Sequence, residues 1–290
     1  MFSHRPCGEI PTLAFLLLFT PLLGGKEETK VLSEIKLQAN LTSDMTAIPQ
    51  VQAAFGKYSI ETPERIKGKH KGFEHLTLEK DKEMDAAFVF RIRRDKDGDR
   101  DKTWPKGQER QRIEIKGYQS SPNTMKALRG EVTRYQWYLK IHESFAITKN
   151  FCHFFQLKPV GGENSSDPLL TLSGSIFQGK PQLEIRWWTK DGNKRMFVAD
   201  WEDCKGKWLK CECITKIGEK GFLRFSMASS NNTIRFAREI PRFATWRPGI
   251  SFVRPKWGIY RSLANKEAIP NEEDEVRMTN FTIQKLSRLP

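Results

Sequence analysis

In the run Phe252-Val-Arg-Pro-Lys-Trp-Gly-Ile-Tyr-Arg-Ser262 an ammonium, a glycine and a phenol recur at every second position. On an extended strand alternate side chains share a face. Lys256, Gly258, Tyr260 and Ser262 then point one way, and Trp257, Ile259 and Arg261 the other. A lysine beside a tyrosine can lower the phenol's pKa, and a glycine between them leaves room for a ligand near the backbone. A β-bulge glycine beside a surface lysine explains the same letters without chemistry.

Two further runs carry groups of the same kind. In Glu109-Arg-Gln-Arg-Ile-Glu-Ile-Lys-Gly-Tyr118, Arg110, Arg112, Glu114 and Lys116 share a face opposite Gln111, Ile113 and Ile115. That face is either an ordinary wet surface or a groove floor in which Glu114 holds an arginine for an anionic ligand. In Phe151-Cys-His-Phe-Phe-Gln-Leu-Lys158, regular alternation puts Cys152, Phe154, Gln156 and Lys158 opposite His153, Phe155 and Leu157. A bulge would bring His153 and Gln156 together. Without one, a histidine among phenylalanines reads as a hydrogen-bonded core residue.

These runs sit in a chain of 290 residues, 38% hydrophobic and 29% charged, with 19 Phe and 8 Trp, a composition that excludes a disordered polyelectrolyte. After Glu61-Thr-Pro the pattern becomes short strand-like runs punctuated by Asp97-Gly98, Gly161-Gly162, Asp191-Gly192 and Pro248-Gly249. Few segments hold a helical period, and Asn123 to Arg129 is at most a short helix. The expectation is an all-β protein, a two-sheet antiparallel sandwich or jelly roll, with one domain over 61–290. Residues 26–60 read as an N-terminal extension of uncertain order. The loop Asp95-Lys-Asp-Gly-Asp-Arg-Asp101 lacks the spacing and closing glutamate of a calcium hand and reads as a solvated loop.

Thr12 to Leu23 is a short apolar run behind Arg5 and ahead of Gly24-Gly25, the pattern of a secretory signal peptide over 1–25. It is too short for a membrane span, which needs about 20 residues. Asn40-Leu-Thr, Asn164-Ser-Ser, Asn231-Asn-Thr and Asn280-Phe-Thr are glycosylation acceptors, so a secreted, extracellular glycoprotein is expected. Past Cys7 remain Cys152, Cys204, Cys211 and Cys213, an even set that favours disulfides in an exported chain. Cys204 with Cys211 or Cys213 would close a short hairpin; a zinc site would want paired C-x-x-C spacing and a nearby histidine. The formal charge of +14 calls for a polyanionic partner. Export removes nucleic acid from the candidates and leaves acidic polysaccharide foremost.

The run R-Q-R-x-E-I-K-G-Y, then Ser121-Pro122 and Gly130-Glu131 ahead of Tyr135-Gln-Trp, then H-F-F-Q-L-K and R-P-K-W-G-I-Y-R-S, resembles the polysaccharide lyases typified by glucuronan lyase, with heparin lyase I a more distant relative. The likeness spans about Phe73 to Leu286, and the order and spacing of the motifs are more specific than any one of them. It implies a β-jelly roll with a long groove that binds an acidic polysaccharide and cleaves it by β-elimination. It also implies calcium as a cofactor, with ligands unknown, and a monomer without a membrane span is expected.

Such an elimination needs the uronate carboxylate neutralised, a base for the C5 proton and an acid for the departing O4. By resemblance, Tyr260 is the acid, and also the base if both protons lie on one side of the sugar. Lys256 would favour its phenolate or touch the carboxylate, and Gln156 would neutralise the uronate. His153 is a weaker candidate base, because simple alternation sets it opposite Gln156. Arg112 and Glu114 would line the groove, with Arg110 and Lys158 at its rim. Trp187, Trp188 and Trp208 are candidate sugar-stacking platforms, although tryptophan in a sandwich is more often core. A non-catalytic, lectin-like carbohydrate-binding protein is the alternative. A glycoside hydrolase would want two carboxylates about 5–9 Å apart across one bond, and a serine hydrolase a G-x-S-x-G elbow; neither pattern is present.

Overall fold

Alternating apolar and polar side chains build two antiparallel sheets, here described from a computed structural model that covers residues 28–64, 68–189 and 192–290. In chain order the strands are β1 (Val31–Leu37), β2 (Ile60–Glu61), β3 (Leu76–Asp81), β4 (Asp85–Arg93), β5 (Arg110–Lys116), β6 (Val132–Ile141), β7 (Cys152–Val160), β8 (Leu170–Phe177), β9 (Lys180–Thr189), β10 (Gly192–Asp200), β11 (Trp208–Lys216), β12 (Gly221–Ser229), β13 (Arg235–Phe243), β14 (Phe252–Ser262) and β15 (Glu273–Leu286). Two helices, α1 (Ala47–Phe55) and α2 (Trp201–Cys204), complete the regular elements used below. One sheet runs β13-β12-β11-β6-β15-β4-β3 with β1 also on β15; the other runs β10-β9-β8-β7-β14-β5-β2.

The sheets face each other across an aromatic core. Trp137 of β6 stacks on Phe155 of β7 with ring centroids 4.4 Å apart, and Phe281 of β15 meets Trp257 of β14 at 5.3 Å. All four rings are sealed from solvent. Burial of each such side chain contributes about 1.5–3 kcal/mol, so these pairs largely set how the sheets are held together. The opposite face of the β7-β14-β5 strip is therefore left to the polar letters of the three runs.

From β1 onward, the stretch expected as an N-terminal extension is built into the sandwich. β1 pairs with β15 and β2 with β5. Helix α1 buries Val51 and Phe55, and Phe55 stacks on Trp257 at 6.0 Å. Ala47, Val51 and Phe55 recur every fourth residue, a helical stripe too short to stand out among polar neighbours. Two strands are also unannounced by the letters. β11 carries its cysteines and tryptophan in place of a plain apolar alternation. β13 holds Pro241 and three arginines, which its position at the sheet edge tolerates.

The expected bridge from Cys204 to Cys211 or Cys213 is not formed. Cys152, Cys204, Cys211 and Cys213 are all free, buried thiols. The segment is no hairpin: Cys204 ends α2, whereas β11 runs between β6 and β12 with both its cysteines turned to the core. There they serve as small apolar residues, and burial pushes the Cys204 thiol up to about 12. The leader-like run Thr12 to Leu23 and Cys7 lie outside the described residues. Among the described residues no helix is long and apolar enough to cross a membrane.

Candidate active site

Strand β14 lies between β5 and β7, and this adjacency brings the three runs together. Register decides the rest. Tyr260 stands opposite Arg112 on one side and His153 on the other, and Lys256 stands opposite Lys116 and Gln156. Two rows of polar side chains thus cross the face of the sheet away from the core.

His153 and Gln156 share that face because the ladder is bulged. Between the pairs Trp257/Phe155 and Tyr260/His153, β14 spends two residues and β7 one, and β7 has a matching irregularity against β8. Phe154 and Phe155 consequently both turn into the core, packing on Trp201 and Trp137 respectively. Simple alternation, which separated His153 from Gln156, is overturned by the one residue that β7 carries beyond β8 there.

Gly258 serves the bulge. Its φ is +135°, and a Cβ there would lie 2.2 Å from the Ile113 carbonyl oxygen. The missing side chain lets β5 approach; it does not clear space for a ligand, as the spacing had suggested. Gly258→Ala is expected to destabilise the fold by about 1–3 kcal/mol from backbone strain alone, read as a lowered urea midpoint.

Above these strands lies a trough of about 460 Å3, lined among others by Tyr260, His153, Gln156, Lys158, Arg110 and Arg112. Tyr260 is mostly buried, with its ring over the Arg112 guanidinium at 3.7 Å and its hydroxyl oxygen accepting from Arg110 Nη1 at 2.8 Å. Phe151 packs between His153 and Tyr260, 4.7 Å and 5.1 Å away between centroids. His153 Nδ1 meets Ser173 Oγ at 2.7 Å, so its second ring nitrogen is the one that can meet a substrate. Burial, then the charge of Arg186, holds His153 well below its usual pKa, so the ring is neutral.

Beneath the trough lies a buried ion network. Arg112 donates to Glu114, Glu61 and Asp99 at 2.8, 3.0 and 2.8 Å. Lys116 and Lys256 both pair with Glu61, and Lys256 also with Glu114. Gln156 donates its amide to Glu114. Burial alone would raise the Glu61 carboxyl, but Lys256, Arg112 and Lys116 overturn that and hold it well below the carboxylate range. Burial lowers Arg112, yet Glu114, Glu61 and Asp99 more than reverse it and raise it above its usual range. Glu114 therefore does not line the trough. It lies under it and anchors Arg112, Lys256 and Gln156.

Lys256 does not favour a phenolate at Tyr260. Its ammonium is spent on two carboxylates and lies 6.0 Å from the ring centroid. Burial raises the Tyr260 pKa, and the cations opposing that rise are Arg112 and Arg110. The phenol is held protonated, as a proton donor must be.

Several residues of the site are not evident from the motifs. Asp99 belongs to the loop expected to be solvated, yet Asp97 and Asp99 are buried and ion-paired, because arginines and histidines from three segments converge on them. Arg254 precedes Lys256 by two and so shares its face, a signal that alternation contained. Its Nη1 donates to the Gly117 carbonyl at 2.8 Å, while its buried Nε has no acceptor. Trp104, under Arg110 at 4.3 Å, has no such signal. Of the candidate stacking tryptophans, Trp188 lines the trough and Trp187 an adjoining hollow. Trp208 is fully buried with its indole N–H on Asp81, and cannot meet a sugar.

The buried carboxylates at the trough do not fit calcium, which takes six to eight oxygens. Glu61, Asp99 and Glu114 are committed to arginine and lysine. The one cluster of metal-ligating side chains among the described residues is His70, His75 and Asp97, two of its three donors being imidazoles. No chemical step is routed through calcium.

No family model matches the sequence, and no curated protein does so either. Solved structures do. A marine PL-14 alginate lyase from Aplysia kurodai superposes with a TM-score of 0.54 at 8% identity, over 88% of this chain and 99% of that one. An alginate lyase from Klebsiella pneumoniae gives 0.53 at 11% identity, over 78% and 94%. An endo-β-1,4-glucuronan lyase from the fungus Trichoderma reesei gives 0.46 at 13% identity, over 88% and 95%. The chain has the jelly-roll fold of the two alginate lyases.

Proposed function

We propose that this chain is an exported polysaccharide lyase that cleaves an acidic, uronic-acid-containing polymer such as glucuronan by β-elimination. The observation that carries the reading is the constellation around Tyr260: a neutral phenol whose oxygen accepts from Arg110, beside a neutral imidazole, over a trough rich in fixed cations. Because Arg110 donates to the phenol oxygen, the Tyr260 proton remains available to another acceptor. In this reading it goes to the departing O4 as the C4–O4 bond breaks. His153, brought to the same face by the bulge, takes the C5 proton, and the electron pair left behind becomes the C4–C5 double bond. Gln156, anchored on Glu114, turns its remaining amide N–H to the C6 carboxylate. Lys158 and Arg254 add the positive charge that stabilises the enolate-like intermediate. Arg112 holds the Tyr260 ring from below.

Incubation with polyglucuronate, alginate, pectate or heparin tests this, because elimination alone creates a conjugated double bond with ultraviolet absorbance. A rise with one of these polymers supports the lyase. Binding with no rise for any of them replaces it with the lectin-like alternative.

Lys158 gives the site a pH signature. Burial, then the nearby Lys256 charge, brings its pKa down to about 7. Above that pH the free protein holds Lys158 neutral, and binding of a polyanion there must be accompanied by proton uptake at the Lys158 amine. Affinity therefore falls as pH rises. Between pH 6 and 8.5 the Kd for the cleaved polymer should increase about tenfold in a Tyr260→Phe background that prevents turnover. Lys158→Met should flatten the profile at the weaker value; an unchanged slope removes Lys158 from the contact.

A further inference from the structure

Away from the trough, two histidines and an aspartate meet at the base of the 94–109 loop. His70, His75 and Asp97 present ligand atoms that all lie within 4.8 Å of one another, and their side chains are almost fully buried. His70 Nδ1 is 3.1 Å from Asp97 Oδ1, and His75 Nε2 is 3.0 Å from Asp97 Oδ2. Ligand atoms around a tetrahedral zinc with bonds of 2.0–2.1 Å are separated by about 3.3 Å. Each histidine is near that distance from one Asp97 oxygen, His70 from Oδ1 and His75 from Oδ2, so the carboxylate would hold the ion with both oxygens.

Three observations separate this cluster from an ordinary ion-pair knot. First, His75 Nε2 is buried and meets only the Asp97 carboxylate among the described residues, at 3.0 Å, without a well-formed hydrogen bond. A buried imidazole nitrogen whose hydrogen bond is poorly formed gains when another atom meets it. Second, each histidine turns its other nitrogen to a separate carboxylate, His75 Nδ1 to Glu64 and His70 Nε2 to Asp101 Oδ1 at 3.1 Å. Carboxylates placed there orient metal-bound histidines and make them better ligands. Third, three carboxylates, Glu64, Asp97 and Asp101, converge on the two imidazoles, with Arg93 and Lys69 among the cations beside them.

We infer that His70, His75 and Asp97 form a structural zinc site that fixes the 94–109 loop. Imidazole with carboxylate is a donor set for zinc and its borderline neighbours rather than for calcium or magnesium. Arg93 Nη2 lies 3.0 Å from both His70 Nδ1 and Asp97 Oδ1. It gives up the His70 contact on metal binding by sliding along Phe73, on which it packs at 3.9 Å. A water completes the coordination. The clamp reaches the trough through the loop itself, since Asp99, two residues past Asp97, receives Arg112 Nε at 2.8 Å. This site stands whether or not the chain is a lyase.

The test is metal binding by the full chain. After chelation and dialysis, zinc should return to about one ion per chain with a sub-micromolar Kd, and cobalt should give the visible bands of a low-coordinate site. Asp101→Asn should weaken zinc by about 10–100-fold, as loss of an orienting carboxylate does. His75→Ala should abolish binding. If His75→Ala does not fold, the wild-type cobalt spectrum and the Asp101→Asn titration decide. A folded wild-type chain that takes up neither metal, or a His75→Ala variant that binds zinc as tightly as wild type, overturns the inference.

Discussion

Tyr260→Phe is expected to bind the acidic polymer as wild type does and to lose at least about 100-fold in elimination rate, the usual contribution of one positioned proton donor. The ring keeps its place over Arg112 and against Phe151, contacts that involve no hydroxyl. What goes is the one phenolic proton poised over the trough and the acceptor that fixes Arg110. The effect should therefore fall on kcat, with little change in Kd. A variant with near-normal turnover would show that another group protonates O4, and the assignment of Tyr260 would be withdrawn. His153→Gln, compared alongside, separates the two protons: in this reading it slows abstraction at C5 and leaves the Arg110–Tyr260 contact intact.

Glu114→Gln is expected to be the most destabilising isosteric change in the site, costing about 3–5 kcal/mol in urea unfolding. Glu114 is almost fully buried and accepts from Arg112, Lys256 and Gln156 at once. Removing its charge leaves two cations facing Glu61 and Asp99 with too little compensation, in a setting where water cannot screen them. The network was assembled at a desolvation cost, so breaking it costs far more than a surface pair such as Lys36–Glu34, which lies within the range of about 0–1 kcal/mol. A loss below about 1 kcal/mol would mean that solvent reaches the network. Gln156 should also lose its anchor, so any turnover that survives in the folded fraction should show a raised KM.

The polar face of β5 could be read from its letters, since Arg112, Glu114 and Lys116 alternate with Ile113 and Ile115 and nothing interrupts the strand. Strand period is a local property, set by the pleat and by which side chains water rejects. The same logic placed Lys256 and Tyr260 together, and would have added Arg254. It failed at His153, where β7 carries one residue more than β8, so that Phe154 and Phe155 both face inward and His153 joins Gln156 on the outer face. Period-two patterning carries no memory across a bulge.

Charge partners were the least legible feature. Lys256 looked like a neighbour for the Tyr260 phenol, but Glu61 arrives from a two-residue strand 195 positions earlier and claims it together with Glu114. Asp97 and Asp99 looked solvated for the same reason: their partners His70, His75 and Arg112 come from other segments. The chain's own letters, then, settle its sandwich class, its cationic character and the side chains each regular strand turns outward, because these follow from local period and composition. Which cations stay free for a ligand, and which cysteines or histidines meet, depends on contacts between segments distant in sequence. Burial and pairing energies act on those contacts only once the sheets have closed.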